Sequence, residues 1–458
     1  MNLSFDEGIS VLQARVIHAA ALPDFLDIAT DTRSIRPGQT FLALHGDHFD
    51  GHDFVAQAVT AGAVAVIVER SESLPKFCAG IIVADTLRAY LALGAASRSH
   101  FTGPVIGITG SAGKTTTKNF LTQLLRNVYG ERVLASPANE NNEIGVSKVL
   151  LQLDSRDYDV AVIEMGARHP GDIGTLVQAA LPTVGILTNI GDAHLEIFGT
   201  RDAIADTKWG LFSQGSRAVL NALDHESKLR ARTLDHLPLW FAAEKTVLDI
   251  ADSGDAVVIV GDEALHVRRE GKWQDHKIRL NIPGQHQRAD LAAALAAAWD
   301  MGLDLELLIE ATHNITLSPG RYESMQFAGL PRIIYDAYNA NPSSMRSALD
   351  AFAHEAGRTR IAVLSSMAEL GGESERMHEE IGAYAATRVD TLFVGGEFAH
   401  ALERGARNAG LSSEQIAMFS SNDAAAVLVR NRATPADVIL LKGSRCYKLE
   451  EIIERLQS

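Results

Sequence analysis

Val105-Ile106-Gly107-Ile108 runs directly into Thr109-Gly110-Ser111-Ala112-Gly113-Lys114-Thr115-Thr116-Thr117, and Lys118-Asn119-Phe120-Leu121 then begins a helical pattern. A buried strand, a glycine-rich turn and a helix start, in that order, call for an α/β layer with a ligand at the strand's carboxyl end. Glycines let the backbone approach phosphate oxygens, the loop N–H groups and helix N-terminus face the anion, Lys114 meets the terminal phosphates and Thr115 can ligate magnesium. Gly110, Ser111, Ala112, Gly113, Lys114, Thr115 and Thr116 are thus the candidate residues for a nucleoside triphosphate. The motif is the short Gly-x-x-Gly-Lys-Thr form, because Ile108 stands where the longer pattern has its first glycine.

A chain of 458 residues with 46% hydrophobic content is too long for one ordinary domain, and three are expected. Cys78 and Cys446 stand far apart and outside any Cys-x-x-Cys spacing, so the sequence offers neither a disulfide framework nor a zinc pattern. The net charge of −15, with no dense Lys/Arg block, argues against nucleic acid as a partner. Met1-Asn2-Leu3-Ser4-Phe5-Asp6-Glu7 lacks a basic region followed by an apolar core, and no run approaches the roughly 18 apolar residues of a membrane span. A cytoplasmic protein with no membrane span is expected, and a monomer is the default for a multidomain architecture of this kind.

The hydrophobic pattern predicts an α/β fold throughout. Thr40–Leu44, 54–62 and Ala63–Val68 read as short βα units. Asp159–Glu164 and Thr183–Asn189 are continuous apolar runs of the kind buried in parallel sheets, with polar residues at their carboxyl ends. From about Asp249 to Leu280 the segments shorten and alternate, predicting an antiparallel insertion, followed by an alanine-rich helix over Ala289–Trp299. After a break at Ser318-Pro319-Gly320-Arg321, strands at Arg332–Tyr335, Arg360–Leu364, Thr391–Val394 and Asp437–Leu441 predict a third α/β unit.

Glu164 ends one buried run, and His194 follows another. With the Thr115 hydroxyl, a carboxylate and an imidazole are suitable ligands for divalent metals beside a triphosphate. His194 equally fits a hydrogen-bonded loop residue.

Together these motifs resemble the Mur ligase family, nearly end to end. The matching segments are Asp31-Thr32-Arg33 with Pro37-Gly38; Phe49-Asp50-Gly51-His52; the phosphate loop; Asn139-Glu140-Asn141-Asn142-Glu143-Ile144-Gly145; Glu164-Met165-Gly166-Ala167; Ala193-His194-Leu195-Glu196; Asp336-Ala337-Tyr338-Asn339-Ala340-Asn341-Pro342; and Lys442-Gly443-Ser444-Arg445. The Tyr-Asn-Ala-Asn-Pro run points within the family to D-alanyl-D-alanine as the incoming amine. The resemblance implies an N-terminal UDP-sugar-binding domain over 1–100, a central ATP-binding P-loop domain with a mostly parallel sheet over 101–317, and a Rossmann-like ligase domain over 318–458. It implies UDP-N-acetylmuramoyl-tripeptide as the carboxylate substrate, activated by ATP to an acyl phosphate that the dipeptide amine attacks. Two Mg2+ ions are implied, held by Thr115, Glu164, His194 and Lys208, with Lys208 carbamylated by carbon dioxide into an anionic ligand. From the residues alone, Lys208 reads as a solvated helix lysine.

The same resemblance places Lys114, Glu164, His194 and Lys208 in the catalytic centre, Asp336 on the ATP ribose, Arg321 near the phosphates and His286 and Gln287 near adenine. Thr32, Arg33, Asn141, Asn142, Asn339 and Asn341 are placed with the substrates. Asp336 reads equally as a turn residue, Arg321 as a linker charge, Thr32 and Arg33 as a turn or cap, and Asn339 and Asn341 as turn formers. Three departures stand out: His286-Gln287-Arg288-Ala289-Asp290 where the family has His-Asn-x-x-Asn, Trp209-Gly210-Leu211 after Lys208 where it often has Gly-Glu-Ile, and Ser365-Ser366-Met367 where it has Gly-Asp-Met. They leave room for a divergent ligase joining another amine and carboxylate. A nucleotide-switched binding protein would instead bind ATP and form no amide.

Overall fold

The computed structural model describes residues 3–18, 23–46, 49–75, 78–138, 140–191, 195–243, 256–280 and 282–458. Three principal sheets follow one another along the chain. The first orders its strands Arg15–Ile17, Ala79–Ile82, Ala65–Val68, Thr40–Leu42 and Ile28–Ala29, antiparallel at the first pair and parallel elsewhere.

The central sheet runs Lys272–Lys277, Ala264–Arg269, Ala256–Val260, Leu239–Ala242, Arg217–Asn221, Val184–Leu187, Val105–Thr109, Val160–Glu164 and Val133–Ala135. From Ala256–Val260 to Val133–Ala135 every pairing is parallel. Its strands read as continuous apolar runs because both faces are covered. Successive residues alternate between the two faces. Ile106, Ile108, Val160 and Val162 pack with the Lys114–Tyr129 and Gln285–Asp300 helices, while Val105, Ala161 and Ile163 pack against Val146, Leu150, Ile173 and Leu176 on the other side. Leu291 to Ala298 are all buried, which explains an alanine-rich helix without an amphipathic stripe: it lies between neighbours rather than on the surface.

The segment expected as an antiparallel insertion takes a different place. Ala256–Val260 pairs parallel with Leu239–Ala242, and the next two strands extend the same sheet antiparallel, so this region is the edge of the central sheet; residues 244–255 lie outside the described set. Alternation in the sequence reports the antiparallel pairing and carries no information about which sheet is joined.

The third sheet orders Glu323–Met325, Arg332–Tyr335, Val438–Lys442, Arg360–Leu364, Thr391–Gly395 and Ile416–Phe419, parallel apart from its first pair. Its two faces carry separate apolar layers, Ile334, Leu364 and Leu440 on one and Ile333, Val363 and Leu441 on the other. Among the described residues no helix is long and apolar enough to cross a membrane.

Candidate active site

Val105–Thr109 lies between Val184–Leu187 and Val160–Glu164, and its chain continues through the Lys114–Tyr129 helix to the sheet edge at Val133–Ala135. That reversal of strand order opens a crevice at the carboxyl ends, where doubly wound sheets bind ligands. The phosphate loop occupies it. Ser111 N donates to the Asn189 carbonyl (3.0 Å), Ala112 N donates to Asn189 Oδ1 (3.0 Å), and Asn189 Nδ2 donates back to the Ala112 carbonyl (3.2 Å). With those amides engaged, the anion-facing donors are the unpaired N–H groups at the start of the Lys114–Tyr129 helix and the Lys114 ammonium. In this structure Lys114 Nζ folds back onto the Gly110 carbonyl at 2.7 Å.

Both loop glycines are dictated by close approach. A Cβ on Gly110 would meet Thr188 Oγ1 at 1.8 Å, and one on Gly113, whose φ is +82°, would meet Asp290 Oδ1 at 2.3 Å. Asp290 also accepts from Thr117 Oγ1 at 3.3 Å. Burial pushes its carboxyl well above the usual range, against the opposing hydrogen bond from Thr117 and the charge of Arg321. A protonated aspartic acid resembles the asparagine that the family pattern has at this place, so burial offsets the change in formal charge.

Glu164, 1% exposed at the end of its strand, accepts from Asn141 Nδ2 at Oε1 (2.9 Å), while its buried Oε2 has no hydrogen-bond partner. Lys118 Nζ lies 3.8 Å from that oxygen and donates to the Ser136 and Ala138 carbonyls at 2.8 and 3.1 Å. Desolvation lowers the pKa of both Lys114 and Lys118, with Glu164 acting in the opposite direction and Arg321 adding to the lowering.

Lys208, a solvated lysine on the residues alone and a metal ligand by the family resemblance, is buried near the end of the Arg201–Trp209 helix. Desolvation, helped by the charge of Lys114, brings its pKa down to about 7. Charge repulsion and burial therefore prepare a neutral amine at near-neutral pH. His194 lies outside the described residues. Among the described residues no group of three His, Cys, Asp or Glu side chains is placed to hold a metal.

The third sheet reaches the loop through its own carboxyl edge. Asn341 caps the Pro342–Phe352 helix in a reciprocal pair with Ser344, and its Nδ2 donates to the Ser111 carbonyl at 3.2 Å. Arg321 sits with its guanidinium 4.2 Å over the Tyr338 ring and a buried Nε lacking a partner. Asp336 accepts from Lys442 Nζ (2.7 Å) and from the Tyr322 amide (3.2 Å). Gln287 Nε2 donates to the Arg321 carbonyl at 3.1 Å, leaving its buried Oε1 unpartnered. Burial brings the pKa of His286 down to about 4, so the ring is neutral. Asn339 Oδ1 accepts from Ala340 N at 2.9 Å and thus forms a local turn.

Asn142 caps the Glu143–Leu150 helix by accepting from Gly145 N at 3.0 Å. Thr32 and Arg33 lie in a turn of the first unit, where Arg33 pairs with Asp31 (Nη2 to Oδ2, 2.6 Å) and is 86% exposed. The structure thus gathers Lys114, Thr115, Glu164, Lys208, Arg321 and Asn341 around the crevice and leaves Thr32 and Arg33 on a separate surface. Among the expected departures, Ser366 has a definite place: its Oγ accepts from Phe398 N at 2.9 Å, tying the loop after Arg360–Leu364 to the next strand's end.

Two site residues carry no functional mark in the sequence motifs: Asn189 reads only as the end of a strand, and Lys118 as a helix start. A signal for Lys118 was available: it follows Lys114 by one helical turn on the same face, near a helix N-terminus where a cation opposes the macrodipole.

The chain matches the Mur ligase middle domain over residues 108–298, the glutamate ligase domain of Mur ligases over 320–445, and the Mur ligase family catalytic domain over 27–97. It is 35% identical to the UDP-N-acetylmuramoyl-tripeptide--D-alanyl-D-alanine ligase of Synechocystis, covering 94% of this chain and 91% of that protein. The enzyme of the same name from Escherichia coli is 33% identical, with 94% and 93% covered. A crystal structure of MurF from Acinetobacter baumannii superposes with a TM-score of 0.86 at 29% identity, over 99% of this chain and 98% of that one. MurF from Thermotoga maritima in complex with ADP gives 0.78 at 29% identity, over 94% and 97%.

Proposed function

The chain belongs to the Mur ligase family, and from that premise we propose how it works. It is an ATP-dependent ligase that joins D-alanyl-D-alanine to UDP-N-acetylmuramoyl-tripeptide, giving the UDP-N-acetylmuramoyl-pentapeptide of peptidoglycan synthesis. Residues 1–100 hold the UDP-sugar, with Thr32 and Arg33 at its contact surface; 101–317 hold ATP; 318–458 bring the amine. The protein acts as a cytoplasmic monomer.

The terminal carboxylate of the tripeptide attacks the γ-phosphorus of ATP, forming a C–O–P bond as the bond to the bridging oxygen breaks and ADP leaves. The dipeptide's free amine then attacks the acyl carbon, loses a proton and expels phosphate. Two anions must meet in the first step, so Lys114, Arg321 and the helix N-terminus act through charge neutralisation and alignment. The orphaned, buried Oε2 of Glu164 fits a divalent cation, and Glu164, Thr115, His194 and carbamylated Lys208 are the residues to hold Mg2+. Magnesium there supplies positive charge to the phosphoryl oxygens. A neutral Lys208 amine adds to carbon dioxide, losing a proton to leave a carbamate anion. His286, neutral through burial, lines the nucleotide side with Gln287 and Asp290, and Asp336, already accepting from Lys442, faces the ribose. Asn141 orients Glu164; Asn142 and Asn339 shape the loops beside the substrates.

The observation that carries this reading is the Asn341–Ser111 hydrogen bond, which sets the 336–341 segment against the phosphate loop. It brings the amine-binding unit to the place where the acyl phosphate forms, which shields that water-labile group. Phosphate release is the test. It requires ATP, Mg2+, UDP-tripeptide and D-alanyl-D-alanine together; release without the dipeptide at the same rate would contradict ligation.

A further inference from the structure

Lys118 is used by no step above, yet its ammonium is held on three sides. Its side chain is 3% exposed and that of Glu164 2%, and the two lie 3.8 Å apart. The ammonium also bonds the carbonyls of Ser136 and Ala138, and Ser136 Oγ in turn accepts from the Glu164 amide at 3.1 Å. Lys118 therefore clamps Ser136 and Ala138, close along the chain to Asn141, which donates to the other carboxylate oxygen. A carboxylate this deep is costly without a compensating charge, and a lysine this near a helix N-terminus is unfavourable without an anion. Each supplies what the other lacks.

A divalent cation at Glu164 Oε2 would meet that ammonium at low dielectric, with the charge of Lys114 also coupled to the carboxylate. A triphosphate reverses the balance. We propose that Lys118 is the resident counter-cation of Glu164 and makes divalent-cation binding there conditional on an anionic nucleotide. This rests on the reading of Glu164 as a metal ligand. Lys118 is then a positioning residue, acting through Glu164.

Lys118→Gln separates charge from clamp, because the amide still donates to a backbone carbonyl. Mn2+ titrations of the full chain, followed by electron paramagnetic resonance at fixed bicarbonate, are run with and without a non-hydrolysable ATP analogue. Without nucleotide, Lys118→Gln binds Mn2+ at least about fivefold tighter than the wild type, and with the analogue the difference falls below about twofold. Adding Glu164→Gln removes the gain. An unchanged Mn2+ affinity in Lys118→Gln without nucleotide overturns the role of Lys118; a gain that survives Glu164→Gln overturns the reading of Glu164 itself. Lys118→Arg keeps the charge and must bind Mn2+ as the wild type does, which tests the proposal even if Lys118→Gln does not fold; a tightening of about fivefold there would also overturn it.

Discussion

The crevice at the phosphate loop and the Asp31–Arg33 turn both hold charged residues picked out by motif, and they differ in what surrounds the charge. In the crevice Lys118, Glu164, Lys208 and Asp290 are buried, and desolvation moves the pKa of Lys118 and Lys208 down and that of Asp290 up. In the turn Arg33 is exposed and bonded to Asp31 two residues away. An exposed pair contributes little because water screens it, whereas buried charges interact strongly and are expensive to leave uncompensated. Equal prominence in sequence therefore conceals unequal energetic weight.

Substitutions in the crevice should have effects far larger than those in the turn. Lys114→Ala is expected to lower kcat/KM by about 10³-fold, since it removes a charge opposite the transferring phosphoryl group. Lys208→Ala should lose about 10²-fold or more in kcat, with partial rescue by small carboxylic acids that supply the missing oxygens. The wild type adds a pH test here. Because its amine is neutral only above a pKa of about 7, carbamate formation at fixed dissolved carbon dioxide should fall as pH drops below 7, and activity with it; a flat profile from pH 6 to 8 would break the argument.

Asp290→Asn is expected to change kcat/KM by less than about threefold, because burial already pushes the wild-type carboxyl well above the usual range, toward its neutral form. Its stability sign is opposite to that of most carboxylate losses. A folded-state pKa raised by burial means that stability falls as pH climbs above the unfolded value, so the asparagine variant should melt higher than the wild type at pH 8, with the gain vanishing near pH 4. A lower melting temperature at pH 8 would show that burial does not raise the Asp290 pKa. At the small end, Arg33→Ala should raise KM for the UDP substrate by about twofold with kcat unchanged. A loss as large as that of Lys208→Ala would erase the contrast between the two regions.

Much of the fold was legible because it rests on local pattern. The strand at Val105–Thr109, its loop and its helix appear where the apolar run, the glycines and the helical spacing put them. The strands at Arg217–Asn221, Leu239–Ala242 and Ile416–Phe419 went unread, being short runs without a motif beside them. Strand order, and hence the true place of Ala256–Lys277 at the edge of the central sheet, is decided by packing between distant segments. The site divides the same way. Lys114 and Glu164 are marked by their neighbours in sequence, but the burial of Lys208, the Lys118–Glu164 pair and the Asn341–Ser111 bond join residues far apart along the chain.

The buried charges of the crevice allow one anion to attack another, forming an acyl phosphate. UDP-tripeptide labelled with 18O in its terminal carboxylate, turned over with ATP and D-alanyl-D-alanine, tests it directly through the mass of the released phosphate. One labelled oxygen in each phosphate is expected; amide product accompanied by unlabelled phosphate would rule out the acyl phosphate.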